Sequence, residues 1–364
     1  MKKIILLVFV WLVVVNVFAL VGFNRFNLNQ DTAYQWMAWS DFSVKPSWNI
    51  IDLHNRWDSY WYLDIVQNGY YMRGAGNLAN VAFFPLYPLL IKITGTLFLK
   101  NFVLGGWITS IIFLFLSAIF LHKFTKEFHP KIEAKWPVIF LLVYPFAFFL
   151  NVIYTESLFL FLSIICFYFA LKKKLWLAGL FAFLGALAHS NGLFLFIPIL
   201  WQYFEQYRFK IRPPIVAILL APLGTLSIPA YHYFKFHDFF LFFKIQTWWG
   251  RSFSINWDHL QFFSHPSTTN ILIDASFMLL AAISTYFVWK KISPMYAVYM
   301  LGTIVSALSS GTMMSIGRYL LVLFPLYIWL ASVKNENFRL GWLLTSALLL
   351  ALDIILWVNY YWAG

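Results

Sequence analysis

Cysteine and charge are what this chain most lacks. It has one cysteine in 364 residues, and only 11% of its residues are Asp, Glu, Lys or Arg. A lone Cys166 excludes an intrachain disulfide and any paired-thiol metal or redox motif. It lies in Ile164-Ile165-Cys166-Phe167, where a cysteine reads as a small buried apolar residue. So little charge excludes the surface of an ordinary soluble domain, which is about 25% charged. There is no G-x-x-x-x-G-K-[ST] phosphate loop, no H-E-x-x-H, no C-x-x-C and no dinucleotide fingerprint. Neither a helical-array period nor an inverted duplication is visible, so a transporter built from repeats has no support. What is plentiful is apolar sequence: 62% hydrophobic, 22% aromatic, with mean hydropathy +0.73.

The apolar residues fall in runs of about 17–22, long enough to cross a hydrocarbon core of about 30 Å. The spans read as 4–23, 102–121, 136–150, 156–171, 175–189, 191–206, 213–231, 271–289, 294–310, 317–333 and 339–357, about eleven in all. The first follows Lys2-Lys3, exceeds the usual apolar core of a signal peptide and has no A-x-A site, so it reads as an uncleaved span. Residues 84–99 carry Pro85, Pro88 and Lys92 and read as a helix lying along the membrane. The expected fold is an all-α polytopic membrane protein, one domain over 1–364, with long outer loops at about 24–101 and 232–270.

Charge orients these spans. With the N-terminus in the cytoplasm, sixteen of the 26 Lys and Arg and only four of the 14 acids fall inside, so the entire surplus of +12 lies on the inner face. The positive-inside rule expects that asymmetry. Topology therefore accounts for the basic charge without a nucleic-acid partner, and the inner clusters are short and scattered. Lys172-Lys173-Lys174 reads as a stop signal beside lipid headgroups.

The chemistry-bearing residues crowd the outer side. The segment Asn55-Arg56-Trp57-Asp58-Ser59-Tyr60-Trp61-Tyr62-Leu63-Asp64 sets acids and an arginine among aromatics. Asp52, Asp58 and Asp64 are six apart, about 120° apart around a helix, so they form no metal box. Asp58 has two readings: a general base in an aromatic, partly dehydrated setting, or a helix N-cap. Glu156 opens a span and either serves the helix dipole or holds a substrate hydroxyl. His189-Ser190-Asn191-Gly192 interrupts an apolar run, which suits a cavity lining better than lipid. Gln246-Thr247-Trp248-Trp249-Gly250-Arg251 and Gly317-Arg318-Tyr319 bring two more arginines to this side. Guanidinium suits phosphate through its bidentate fork.

These motifs together resemble the PIG-V family. The residues that carry the resemblance are Arg56-Trp57-Asp58 with Tyr62, Leu63 and Ile65, then Gly69-Tyr70, Ala82-Phe83-Phe84-Pro85-Leu86, Tyr154-Thr155-Glu156-Ser157, Ser190-Asn191-Gly192, Gln246 with Trp249-Gly250-Arg251, and Gly317-Arg318-Tyr319 with Phe324-Pro325. They occur in family order over about 55–330. The family contains the second mannosyltransferase of glycosylphosphatidylinositol synthesis and its prokaryotic relatives. The resemblance implies a GT-C type glycosyltransferase that takes mannose from a polyprenyl-phosphate donor and inverts the anomeric centre. Asp58 matches the family aspartate; Asp64 has no counterpart in the motif; His189 stands where the family pattern carries arginine. The chain is short for a eukaryotic member and lacks an N-x-[ST] sequon, which points to a bacterial or archaeal source and leaves the acceptor open.

The expected activity is thus inverting sugar transfer at the outer face of a prokaryotic plasma membrane. The donor is a polyprenyl-phosphate sugar, the acceptor a glycolipid or glycan, and membrane lipids surround the enzyme. Asp58 is the expected base; Arg251, Arg318, His189 and Arg56 hold the donor phosphate; Asp64, Glu156, Asn191, Gln246, Trp57, Trp61, Trp249 and Tyr319 line the substrate site. No cofactor is required, and a divalent metal is compatible but has no sequence signal. The rivals are a flippase for a lipid-linked saccharide, which predicts ionisable residues along a mid-membrane path, and a non-catalytic assembly subunit, which predicts no cavity at Asp58.

Overall fold

The structure is a computed structural model that describes residues 1–26, 50–74, 77–208, 210–249, 251, 268–310 and 315–361. The aromatic stretches 27–49 and 252–267 of the two long loops lie outside the described residues. Among the described residues every regular element is a helix, as the runs of apolar sequence require. In hydrocarbon a helix satisfies its own backbone, which an isolated strand cannot do. Two compact units are present: 1–69 with 87–158 and 330–364, and 70–86 with 159–329.

In the first unit the long helices Lys2–Arg25, Phe102–Phe128 and Glu336–Val358 are each apolar and long enough to cross a membrane. The first of them packs on the last at Gly22, where even a Cβ would make only ordinary contact with Ile355 at 3.5 Å. The helix Leu86–Leu97 has 12 residues, or about 18 Å, too few to cross alone. It runs antiparallel along the start of Phe102–Phe128. Tyr87 bonds to the Gly106 carbonyl at 3.1 Å and to Ser110 at 2.6 Å, and Thr94 bonds to Thr109 at 2.9 Å. A Cβ on Gly105 would lie 2.5 Å from Gly95 Cα, so these glycines set the close seam. The sequence reading laid this segment along the membrane; the structure adds a glycine seam that packs it against the start of Phe102–Phe128.

The second unit holds two more helices of crossing length, Pro213–Phe236 and Leu272–Lys291. Leu175–Ala188 packs on the former through small residues, since a Cβ on Gly179 would meet the Ala217 carbonyl at 2.8 Å and one on Gly224 the Ala186 Cβ at 2.8 Å. Close approach between small residues is how helices gain contact where lipid is as apolar as leucine. Residues 70–86 form a strap pinned to this unit. Tyr70 donates to the Phe83 carbonyl at 2.8 Å, Lys235 Nζ donates to the Tyr70 carbonyl at 2.7 Å, and Ala79 and Val81 pack with Leu241 and Ile245.

Several expected spans are broken helices. The run 136–150 is helical only over Lys135–Leu142, after which Pro145 interrupts and a 3₁₀ turn covers Ala147–Asn151. The run 191–206 divides into a 3₁₀ segment Ser190–Leu195 and a helix Phe196–Tyr207. The run 317–333 divides into Ile316–Leu321 and Phe324–Ser332, with Pro325 opening the second piece. Glu156–Leu171, with 16 residues, and Pro294–Leu308, with 15, are also shorter than a full crossing. Summed hydrophobicity marks such segments as apolar but is blind to where a proline or a glycine divides them.

Candidate functional site

In the first unit the chain enters the site through a 3₁₀ turn, Asp52–His54. It then makes a sharp bend in which Trp57 has φ 52°, a left-handed conformation that costs a bulky residue about 1–3 kcal/mol. Surrounding contacts hold the bend. The Trp57 indole donates to the Tyr361 carbonyl at 3.1 Å. The buried Arg56 guanidinium lies 4.0 Å over the Tyr360 ring and donates to the Asp52 and Asn55 carbonyls. The Asp58 backbone N–H donates to the Tyr154 hydroxyl at 3.0 Å. Tyr154 is itself wedged edge-on against Trp357 at 5.3 Å and Phe149 at 5.2 Å.

Asp58 starts the helix Ser59–Asn68 by accepting the Trp61 N–H on its carbonyl at 3.0 Å, yet its side chain makes no capping bond. The N-cap reading of the carboxylate is thereby set aside. Across 56–66 every residue is buried except Asp58, which is partly exposed. Asp64 is buried and accepts a bond from Asn68 Nδ2 at 2.8 Å. Trp57 and Trp61 are buried as well, and Glu156 is buried in the first turn of its helix, within electrostatic reach of Tyr87. One carboxylate of this segment is therefore partly exposed while the residues on either side of it are buried.

The sequence reading missed a cluster beneath this turn. His54 Nδ1 lies 2.8 Å from the Ile50 carbonyl, and its Nε2 lies 2.6 Å from Asn16 Oδ1 and 3.2 Å from Asn151 Nδ2. Asn151 Nδ2 also donates to Asn16 Oδ1 at 3.1 Å, and the Trp107 indole donates to Asn151 Oδ1 at 3.1 Å. Trp107 stacks on the His54 ring at 4.3 Å. Burial, with the Arg56 charge behind it, pushes His54 down to about 3. A usable signal was present in Asn16, an amide in the middle of an apolar span, where polar groups are seldom placed without a partner.

The second unit gathers the cationic residues. Leu175–Ala188 ends at His189, and Gly192 in the following 3₁₀ segment comes so close to it that a Cβ would lie 2.3 Å from the Ala186 nitrogen and the Gly185 carbonyl. This fold-back aims the Asn191 N–H at His189 Nδ1, 3.1 Å away. A neutral His189 ring then carries its proton on Nε2, as a donor. The ring stacks on Phe159 at 4.7 Å and meets the edge of Tyr319 at 6.2 Å. Arg318 and Arg251 both act on it electrostatically. Gln246 steadies Arg251, accepting its backbone N–H at 3.0 Å and its Nη1 at 3.5 Å. Trp249 packs edge-on against Phe83 at 5.8 Å. Asn191 is buried with its Nδ2 amide unpartnered among the described residues.

Thus His189, Asn191, Gln246, Arg251, Arg318 and Tyr319 are brought together, a donor-rich set with the character of an anion site. Arg56, Trp57, Asp58, Trp61, Asp64 and Glu156 belong to the first unit. Among the described residues no three His, Cys, Asp or Glu side chains converge as metal ligands would.

Comparison with known proteins adds a family and a fold likeness. A family model described as Mannosyltransferase (PIG-V) matches residues 3–212, more than half of the chain. That match includes Asp58, Glu156, His189 and Asn191 and stops short of Gln246, Arg251 and Arg318. Among solved structures, the archaeal oligosaccharyltransferase AglB from Archaeoglobus fulgidus, in complex with an inhibitory peptide and a dolichol-phosphate, is similar over 98% of this chain and 56% of its own. The identity is 13% and the TM-score 0.45, so this chain spans little more than half the length of that protein. No curated protein matches the sequence.

Proposed function

The chain belongs to the PIG-V mannosyltransferase family, and from that premise we propose that this membrane glycosyltransferase moves mannose from a polyprenyl-phosphate donor to a lipid-linked or surface glycan. The transfer inverts the anomeric centre and takes place at the outer face of a prokaryotic plasma membrane. Asp58 removes the proton from an acceptor hydroxyl as that oxygen attacks the anomeric carbon. The bond from that carbon to the phosphate oxygen breaks, and polyprenyl phosphate departs with the bonding pair. Arg251 and Arg318 take up the negative charge on the leaving phosphate, and His189 Nε2–H and the Asn191 amide donate to it. Fixed positive charge beside a developing anion often lowers a barrier more than any other single effect. The step requires no metal, because the arginines supply the positive charge, and turnover should survive chelation by EDTA.

The observation that supports this reading is the burial pattern of 56–66, in which Asp58 alone is partly exposed. The test is to incubate the purified chain with polyprenyl-phospho-mannose and glycolipid acceptors and follow release of polyprenyl phosphate. Asp58→Asn should abolish release while leaving a folded protein. Full turnover by that variant would remove Asp58 from the mechanism. Movement of the intact donor across the membrane without release would instead identify a flippase.

A further inference from the structure

We propose that the buried cluster of Asn16, His54, Trp107 and Asn151 is a positioning device that sets where the Asp58 carboxylate stands during transfer. The proposal rests on the reading of Asp58 as the base and adds residues that none of the motifs contain. Four chain segments meet in the cluster: the first crossing helix supplies Asn16, the 3₁₀ turn His54, the helix Phe102–Phe128 Trp107, and the turn Ala147–Asn151 the second amide. An apolar plug would hold these segments together at lower cost, since each polar group left unpaired in such surroundings costs about 1–3 kcal/mol. Hydrogen bonds add direction, and here the directions are over-determined. The indole is a donor only, so it fixes Asn151 Oδ1 toward Trp107 and Nδ2 toward Asn16 and His54. Asn16 Nδ2 donates to the Leu12 carbonyl at 2.8 Å, which leaves its Oδ1 to accept from Asn151 Nδ2. The neutral imidazole then donates from Nδ1 to the Ile50 carbonyl and accepts from Asn151 on Nε2. The imidazole is left one place and one orientation.

That placement is passed to Asp58 over four residues with little slack. The Leu53 carbonyl accepts from the Trp357 indole at 2.9 Å, and the His54 carbonyl accepts the Ile153 N–H at 3.2 Å. Arg56 and Trp57 are locked as described, and Tyr154 takes the Asp58 N–H. A base must stand within hydrogen-bond reach of the proton it takes. A misplacement of about 1 Å can cost 100-fold in rate. The anchored turn supplies this tolerance on a loop with little regular structure of its own.

The experiment compares the full chain in lipid nanodiscs with His54→Phe, His54→Gln and Trp107→Phe. The donor is polyprenyl-phospho-mannose, and a total glycolipid extract of the source membrane serves as acceptor. His54→Phe keeps the ring stack and removes both nitrogens; kcat should fall about 10- to 100-fold with KM for the donor unchanged, and the thermal midpoint should drop because the Asn151 amide and the Ile50 carbonyl lose their partner. His54→Gln, which restores an acceptor toward Asn151, should recover the rate to within about fivefold of wild type. Trp107→Phe, a milder change in case His54→Phe does not fold, removes only the indole donor and should lose about three- to tenfold. A folded His54→Phe or Trp107→Phe with the wild-type rate, a loss confined to KM, or a stable His54→Gln that stays as slow as His54→Phe would each overturn the proposal. If wild type releases polyprenyl phosphate and Asp58→Asn does not, those outcomes sink the positioning role alone. If Asp58→Asn turns over normally, the reading of the base falls and the positioning role with it.

Discussion

Gly192 and His54 show how much single side chains carry. A methyl group at Gly192 would overlap backbone atoms of Gly185 and Ala186 at 2.3 Å, and backbone cannot step aside as a flexible side chain can. Overpacking commonly costs about 1–3 kcal/mol, with more expected against main chain. Gly192→Ala should therefore lower the thermal midpoint and the yield of monodisperse protein. It should also disturb the fold-back that points the Asn191 N–H at His189. At His54 the prediction concerns acid. The folded chain holds His54 near 3 through burial and Arg56, against 6.5 for an ordinary histidine. Between those values the unfolded chain binds a proton that the folded chain does not. Stability is complete above about pH 6.5 and is lost as pH falls toward 3, by about 1.4 kcal/mol for each unit of separation. The thermal midpoint should drop across this window, and His54→Gln should flatten the drop. An equal slope in both proteins would show that His54 is not the group responsible.

Among the elements, the broken helices carry the cationic cluster. Arg318 lies on the six-residue helix Ile316–Leu321, and Arg251 lies just past Leu241–Trp248, held by Gln246. An arginine at a helix end that merely snorkels to water would be expendable. In a phosphate site it is not: Arg251→Ala and Arg318→Ala should each lower kcat/KM for the donor about 100-fold. Lysine should restore little, because a point charge lacks the guanidinium fork. Gln246→Ala should cost only a few-fold, since its side-chain bond to Arg251 is long at 3.5 Å. Kinetics of polyprenyl phosphate release would rank the three. These breaks were only partly legible in the sequence. Ser190-Asn191-Gly192 announced one, but the interruptions after Leu142 and Leu321 were hidden in apolar runs, because lipid-facing hydrophobicity and backbone continuity are separate properties.

For the whole molecule, the proposed outward face follows from charge asymmetry alone, and it can be tested directly. Cys166 is buried and is the chain's single cysteine, so Cys166→Ser gives a clean background. In intact cells an impermeant maleimide should label Asn77→Cys, whose position is exposed in the first long loop. It should leave Lys173→Cys unlabelled until the membrane is opened. The reverse pattern would put Asp58 on the cytoplasmic side and end the outer-face reading.

Composition determined the solvent and the helical class, and the ordered motifs carried the family resemblance, because hydrophobicity and motif order are local properties that add along the chain. It also brought Asp58 forward among the acids, though with two readings left open. Tertiary structure adds that Asp58 is partly exposed and that its side chain makes no capping bond, because exposure depends on neighbours far away in sequence. Trp57 is held by a carbonyl 304 residues on, and Asn16 meets Asn151 across 135 residues. Each of those polar residues looks ordinary where it stands in the chain. Only folding places them where their hydrogen bonds have nowhere else to go.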